Sequence, residues 1–315
     1  MDKLLYFLAR ALVVFLQALP LTWVARLGGA GGALAFWLDV RHRRVAIKNL
    51  VLCFGREKSR AEVRALAKKN FRRLGENYAC AVKTAAMTPE EMRPHFEFAG
   101  AEQILPHAPQ QGPQSRIVAI GHFGNFELYA RFGQFVPVFR CATTYRGLRQ
   151  PSLNRLMQSL RERSACRFFE RRTEGAALKA CMSGTGLLLG LLADQRARGD
   201  LRLPFLGHEC STSTAPAIFA LRYRCPLHTA ICYRVALARW RIEIGAEIPT
   251  RVNREARPIA EIMLDVNRAF EVAVRRDPAN WFWVHDRWKG GKPEVRSPKS
   301  QLEEAEPVAK MEDGG

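Results

Sequence analysis

Apolar residues dominate the first forty positions, and short apolar runs then alternate with amphipathic stretches. Leu4 to Leu19 has helical apolar spacing, interrupted by Arg10 and Gln17 and ended by Pro20. A second apolar helix is predicted over Leu21 to Leu38, with Arg26 and a glycine cluster inside it. Ser59, with Glu62 three residues on, forms a capping box for a helix reaching about Ala86. Its predicted apolar stripe is Val63, Leu66, Phe71, Leu74, Tyr78 and Val82, and Thr88-Pro89 starts a further helix. Pro106 to Pro113 reads as a loop. Strands are then predicted at Ile117–Ile120, Val136–Tyr145, Phe168–Phe169 and Gly186–Ala193. Helices fall between them at Glu127–Phe135, Leu153–Ser164 and Gly175–Met182. A helix over Thr212–Arg222, a strand pair at Leu227–Val235 and Arg239–Ala246, and a helix over Ile259–Arg275 complete the order. The short connection makes that strand pair antiparallel. From Pro298 the chain is polar, acidic and aperiodic, which predicts disorder over 298–315.

Neither N-terminal apolar stretch is a clean span of about twenty residues. The pattern predicts a membrane anchor over 1–40 that dips into the bilayer or crosses it, and a buried helical hairpin is the alternative. Pro20 and Arg26 argue against a signal peptide, since more apolar chain and no cleavage site follow. The cluster Gly28-Gly29-Ala30-Gly31-Gly32 does not fit G-x-G-x-x-G and follows no strand, so a dinucleotide loop is rejected. Arg41-His-Arg-Arg44 comes directly after the apolar block, where basic residues favour anionic head groups and the cytoplasmic side.

The 315 residues are 48% hydrophobic, enough for one large α/β domain or two small ones. A formal net charge of +19 favours phosphate-bearing partners: nucleic acid, anionic lipid or an acidic carrier protein. With no zinc-finger spacing and no RNA-binding aromatic motif, nucleic acid ranks below lipid. The eight cysteines have no C-x-x-C pair, and several lie in apolar runs. They read as buried, reduced thiols in a cytosol-facing protein, with neither a disulfide framework nor a metal site.

The candidate chemistry centres on Gly121-His-Phe-Gly-Asn-Phe-Glu127. His122 is placed at the carboxyl end of a strand, where α/β sheets commonly hold their sites. Asn125 is a plausible N-cap, and Glu127 lies in the first turn of the next helix. That spacing is expected to let Glu127 orient the imidazole of His122 for general-base work; a histidine bonding a turn carbonyl is the bland alternative. Arg146 and the group Asp194-Gln195-Arg196 also fall at strand carboxyl ends. His285 is a rival histidine with no carboxylate placed to orient it, and is expected to pack structurally.

His122-Phe-Gly-Asn-Phe-Glu127 resembles the His-x4-Asp/Glu signature of the glycerolipid acyltransferase superfamily. Its wording is similar to the lipid A late acyltransferase branch, the lauroyl and myristoyl transferases. Three further segments carry that resemblance. They are Arg43-Arg-Val-Ala-Ile-Lys-Asn-Leu50 with Leu52-Cys-Phe54, Leu192-Ala-Asp-Gln195 with Leu203-Pro-Phe-Leu-Gly207, and Trp281-Phe-Trp-Val-His-Asp-Arg287. Leu206 stands where the usual pattern has a phenylalanine.

The resemblance implies an α/β fold: a single glycerolipid-acyltransferase-like domain over 41–297, with a mixed, mostly parallel sheet flanked by helices. It implies an O-acyltransferase without a covalent acyl-enzyme, since no Gly-x-Ser-x-Gly elbow is present. His122 would be the general base with Glu127, and backbone N–H groups from Gly124 through Asn125 to Phe126 would face the oxyanion. Arg146, Asp194, Gln195 and Arg196 would bind substrate, the arginines through phosphate. No metal or cofactor is implied. The donor would be acyl-carrier protein or acyl-CoA. The acceptor would be a lipid A precursor, a lysophospholipid, an ornithine-type lipid or a mannosylated phosphoinositide, at the cytoplasmic face of the inner membrane. A thioester hydrolase using the same pair, and a membrane-surface binding protein without catalysis, are the other classes.

Overall fold

A computed structural model describes residues 2–105, 113–197 and 201–289. The predicted tail from Pro298 and most of the loop from Pro106 lie outside the described residues.

Helices α1 (Asp2–Ala18), α2 (Leu21–Leu38), α3 (Val40–Phe54) and α4 (Arg60–Thr84) open the chain. The single turn α5 (Pro89–Met92) leads into β1 (Phe96–Ala99), a strand the sequence pattern does not signal. Then come β2 (Arg116–Ile120), the turn α6 (Phe132–Phe135), β3 (Arg140–Tyr145) and α7 (Pro151–Arg161). They are followed by β4 (Cys166–Glu170), α8 (Gly175–Met182) and β5 (Leu187–Leu192). A hairpin of β6 (Arg202–Phe205) and β7 (His208–Ser211) precedes α9 (Ala215–Tyr223). The chain continues with β8 (Leu227–Ala236), β9 (Arg239–Ile244), a small hairpin of β10 (Arg251–Val252) and β11 (Glu255–Ala256), and α10 (Ile259–Arg276).

Seven strands form the central sheet in the order β1-β9-β8-β2-β5-β3-β4. Every pairing is parallel except β8 with β9, so the sheet is mixed and mostly parallel, as expected. The central strands β2 and β5 are apolar on both sides because both faces are covered. Ile117 and Ala119 point into one core with Phe270 and Trp283; Val118 and Ile120 point into the other with Phe132 and Ile242.

The Ser59–Glu62 capping box is present, but the buried face of α4 differs from the predicted stripe. Asn70, Glu76 and Asn77 are buried, while Tyr78 is 49% exposed. The reason is that α4 packs against other elements on several sides and uses polar side chains to bind their backbones. Asn70 donates to the carbonyls of Ala279 and Trp281, and Glu76 accepts from the Ala238 amide.

No helix among the described residues is long and apolar enough to cross a membrane. The glycine cluster has a packing role. A Cβ at Gly32 would meet the Phe71 carbonyl at 2.1 Å, and one at Gly75 would meet the Gly28 carbonyl at 2.2 Å. The glycines therefore let α2 and α4 touch backbone to backbone. Phe36 is fully buried beside Phe71, and Arg43 donates to the Phe36 and Trp37 carbonyls at the end of α2. Residue 40 is thus not a packing boundary. A chain beginning at Arg41 is expected to lose the α2–α4 seam and unfold at a markedly lower temperature than the full chain. An unchanged midpoint in thermal denaturation would show that α2 is dispensable to the fold.

Candidate active site

Register brings the site together. In the parallel pair β2–β5, Ile120 stands opposite Leu192. The residues two positions beyond these partners are His122 and Asp194, so both leave the sheet side by side. The Asp194 carboxylate accepts three hydrogen bonds: from His122 Nδ1 at 2.8 Å, from the His122 backbone N–H at 2.8 Å, and from Trp281 Nε1 at 2.8 Å. Asp194 is fully buried. Burial works to raise its pKa, but the charge of His122, its two hydrogen bonds and the more distant Arg287 outweigh this and hold it below the ordinary aspartate value. An ionised carboxylate only accepts, so Nδ1 carries the ring proton. Nε2, which carries the lone pair whenever the ring is neutral, has no hydrogen-bond partner among the described residues.

This corrects the expected role of Glu127. After Asn125 the backbone enters a 3-10 turn (Phe126–Arg131), not an α-helix, and Asn125 makes no side-chain cap. Glu127 faces Arg161 at the end of α7, which binds its two oxygens at 2.6 and 3.2 Å. It makes no hydrogen bond to His122, and Asp194 is the carboxylate that orients the ring. Asp194 is buried behind the ring and does not line the cavity beside it.

His122 and Glu127 line one cavity of about 640 Å³, within the usual range for small-molecule sites. One wall is the sheet face carrying Val118, Ile120, Leu188, Leu192, Ile242 and Ile244, and Met157 and Arg161 of α7 close another side. Gly190 lies in the middle of this wall and leaves the space above β5 open. The phenyl ring of Phe126 sits edge-on to the His122 imidazole at 4.8 Å between centroids.

The other predicted residues divide. Arg146, Gln195 and Arg196 line the cavity, with both arginines exposed and without an acidic partner among the described residues. Gly124 and Asn125 do not line it. The Gly124 N–H donates to the Asn280 carbonyl at 2.9 Å, so it is not available to an oxyanion. A Cβ at Gly124, whose φ is +52°, would strike the Cys232 carbonyl at 2.5 Å. The glycine is needed for this close approach and for the left-handed turn. Asn125 is buried, with neither side-chain atom hydrogen-bonded.

His285 also lines the cavity, and its Nε2 accepts the Arg196 amide at 3.1 Å. Burial lowers its pKa first, and proximity to His122 and Arg287 adds to this. Its Nε2 is thereby occupied. Asp286 is turned to Lys48.

The segment after α10 does not form a strand in the sheet. It is held by side chains that come from far upstream. Asn49 donates to the carbonyls of Trp283 and His285, and Asn70 does the same for Ala279 and Trp281. Trp281 reaches Asp194 from this clamped backbone. The roles of Asn49, Asn70 and Trp281 were missed by sequence reasoning, although Asn49 and Trp281 stand inside motifs it singled out.

An imidazole held by a buried carboxylate beyond the carboxyl ends of parallel strands, beside an apolar cavity, is an arrangement suited to proton transfer. The family model for bacterial lipid A biosynthesis acyltransferases matches residues 1–290, and the chain belongs to this family. It is an acyltransferase. No curated relative matches it.

Proposed function

We propose that this acyltransferase moves a fatty acyl chain from an acyl thioester to a hydroxyl of a lipid A precursor or a related phosphoglycolipid. The donor is acyl-carrier protein or acyl-CoA. The observation that carries the reading is His122, held at Nδ1 by ionised Asp194 at the wall of an apolar cavity. Nε2 takes the proton of the acceptor hydroxyl as its oxygen attacks the thioester carbonyl. The tetrahedral intermediate collapses, the C–S bond breaks, and the imidazolium returns the proton to the leaving sulfur. Asp194 stabilises the imidazolium without being protonated. The apolar wall suits the acyl chain. Arg146 and Arg196 suit phosphate on the acceptor, and the Glu127–Arg161 pair shapes the cavity beside His122.

The reading places the enzyme at the cytoplasmic face of the inner membrane, lying on it through α1 and α2. Leu4, Phe7, Leu8 and Leu12 of α1 and Trp23, Leu34 and Leu38 of α2 are more than half exposed. An apolar surface of that extent favours lipid. Because α1 also contacts α7, which lines the cavity, the lipid surface and the site adjoin.

The test is transfer measured by mass spectrometry with purified acyl-carrier-protein and acyl-CoA donors, offered a lipid A precursor or a lysophospholipid. Acceptor-free hydrolysis is measured in parallel. Transfer to the lipid A precursor supports the reading; hydrolysis without transfer to either acceptor sinks it. The companion observation is the lipid profile of cells with and without the protein.

Two variants probe the cavity. In Gly190→Leu a Cβ would sit 3.3 Å from Ile120 Cδ1, and the rest of the side chain would project along the apolar wall. Discrimination of about 1–3 kcal/mol against longer donors is expected, roughly 10- to 200-fold in relative kcat/KM. Competition between donors of different length reads this, and an unchanged ratio would place the chain elsewhere. Glu127→Gln removes one charge of the pair with Arg161 and leaves the imidazole held by Asp194. Its loss of kcat is expected to be smaller than that of His122→Ala, and a loss as large would give Glu127 a direct part in the chemistry.

A further inference from the structure

A second concave surface lies between α2 and α4, lined by residues of those helices, by Arg234 of β8 and by Leu237 of the β8–β9 turn. It encloses about 830 Å³ over the small residues Gly29, Ala33 and Ala65. Six cations reach it. Arg73 is paired with Asp277 at 2.6 Å, and Arg234 with Glu76 at 2.8 Å, which consumes the one carboxylate in the lining. The remaining four, Arg26, Lys68, Lys69 and Arg72, are exposed and have no acidic partner among the described residues. Like charges gathered in one groove without a counter-ion repel one another and favour an anion.

The neighbouring surface says what kind of anion. Arg26 and Lys68 lie over the rings of Trp23 and Trp37, at 5.6 and 5.8 Å from their centroids. Trp23, Leu27, Leu34 and Leu38 run down the exposed side of α2 beside the groove. An acidic soluble protein would neutralise the cations and leave this apolar stripe wet. A lipid satisfies both, with its phosphate among the cations and its chains along the stripe.

We propose that the α2–α4 groove is a binding site for the phosphate head group of an anionic membrane lipid, separate from the catalytic cavity. The proposal rests on the membrane reading of α1 and α2. The anionic head group adds to the attachment that the apolar residues give and fixes how α2 lies on the bilayer.

Flotation of the full chain with phosphatidylcholine vesicles, with and without phosphatidylglycerol, tests it. The wild type is expected to bind both and to bind the anionic vesicles more tightly. The variant Arg26→Gln/Lys68→Gln/Lys69→Gln/Arg72→Gln is expected to lose about tenfold or more on anionic vesicles, while its binding to phosphatidylcholine is unchanged. Circular dichroism and an unchanged thermal midpoint report that it is folded. A control, Arg172→Gln/Lys179→Gln/Arg222→Gln/Arg224→Gln, removes the same charge elsewhere and is expected to keep most of the increment. An equal loss in the control would mean diffuse attraction and overturn the groove. A wild type that binds phosphatidylcholine but gains nothing from phosphatidylglycerol overturns the groove alone; one that binds neither overturns the membrane reading with it. A third arm titrates acyl-carrier protein in detergent. If the groove variant loses the carrier and keeps phosphatidylglycerol, the occupant is the carrier and the lipid proposal fails.

Discussion

His122→Ala is expected to lower acyl transfer by about 100- to 10,000-fold while leaving the fold and lipid attachment in place. The expectation rests on what the ring does in the structure. Its Nδ1 is committed to Asp194, and its Nε2 has no partner among the described residues. The ring is only partly exposed and touches Phe126 and Phe282, so its removal leaves a modest gap at a cavity wall and not in the core. Saturating kinetics and circular dichroism on the same preparation separate lost chemistry from lost structure. Turnover near that of the wild type would remove the general base from the mechanism. A His122→Gln variant sharpens the comparison, because it fills similar space without a base.

Asp194→Ala is expected to damage both activity and stability. It frees the imidazole to rotate and to take the wrong tautomer, which should cost kcat by about a hundredfold or more. It also leaves the N–H of His122 and the indole N–H of Trp281 without an acceptor in the interior. At about 1–3 kcal/mol for each of these two buried donors left unmade, the folded state should lose roughly 2–6 kcal/mol. Urea denaturation measures this. A second readout is pH. The folded-state pKa of Asp194 lies below its ordinary value, so its contribution to stability is complete above that ordinary value. It is lost as pH falls through the lowered folded-state pKa. The acid limb of the stability curve should therefore be steeper for the wild type than for Asp194→Ala. Equal slopes would mean that the carboxylate is not held as described.

Local chemistry made much of this molecule legible in advance. Apolar runs of four to eight residues bounded by glycine marked β2 and β5, and the capping box marked the start of α4. The turn Gly121 to Asn125 and the strand-end position of His122 were readable for the same reason: short-range backbone preferences decide them. Edge strand β1 was not readable, because its four residues carry too little pattern to stand out.

The sequence by itself determined that His122 would sit at the end of a buried strand and which family the motifs resemble. It did not determine the partner of His122. Glu127 is five residues away and Asp194 seventy-two, and nearness along the chain favoured the wrong carboxylate. A 3-10 turn directs Glu127 to Arg161, while the parallel register of Ile120 with Leu192 carries Asp194 to the ring. Only the tertiary structure decides such a pairing, because hydrogen bonds between neighbouring strands create proximity that no local spacing encodes. The same holds for the glycines of α2 and for Asn49 and Asn70, whose roles depend on backbones contributed by distant parts of the chain.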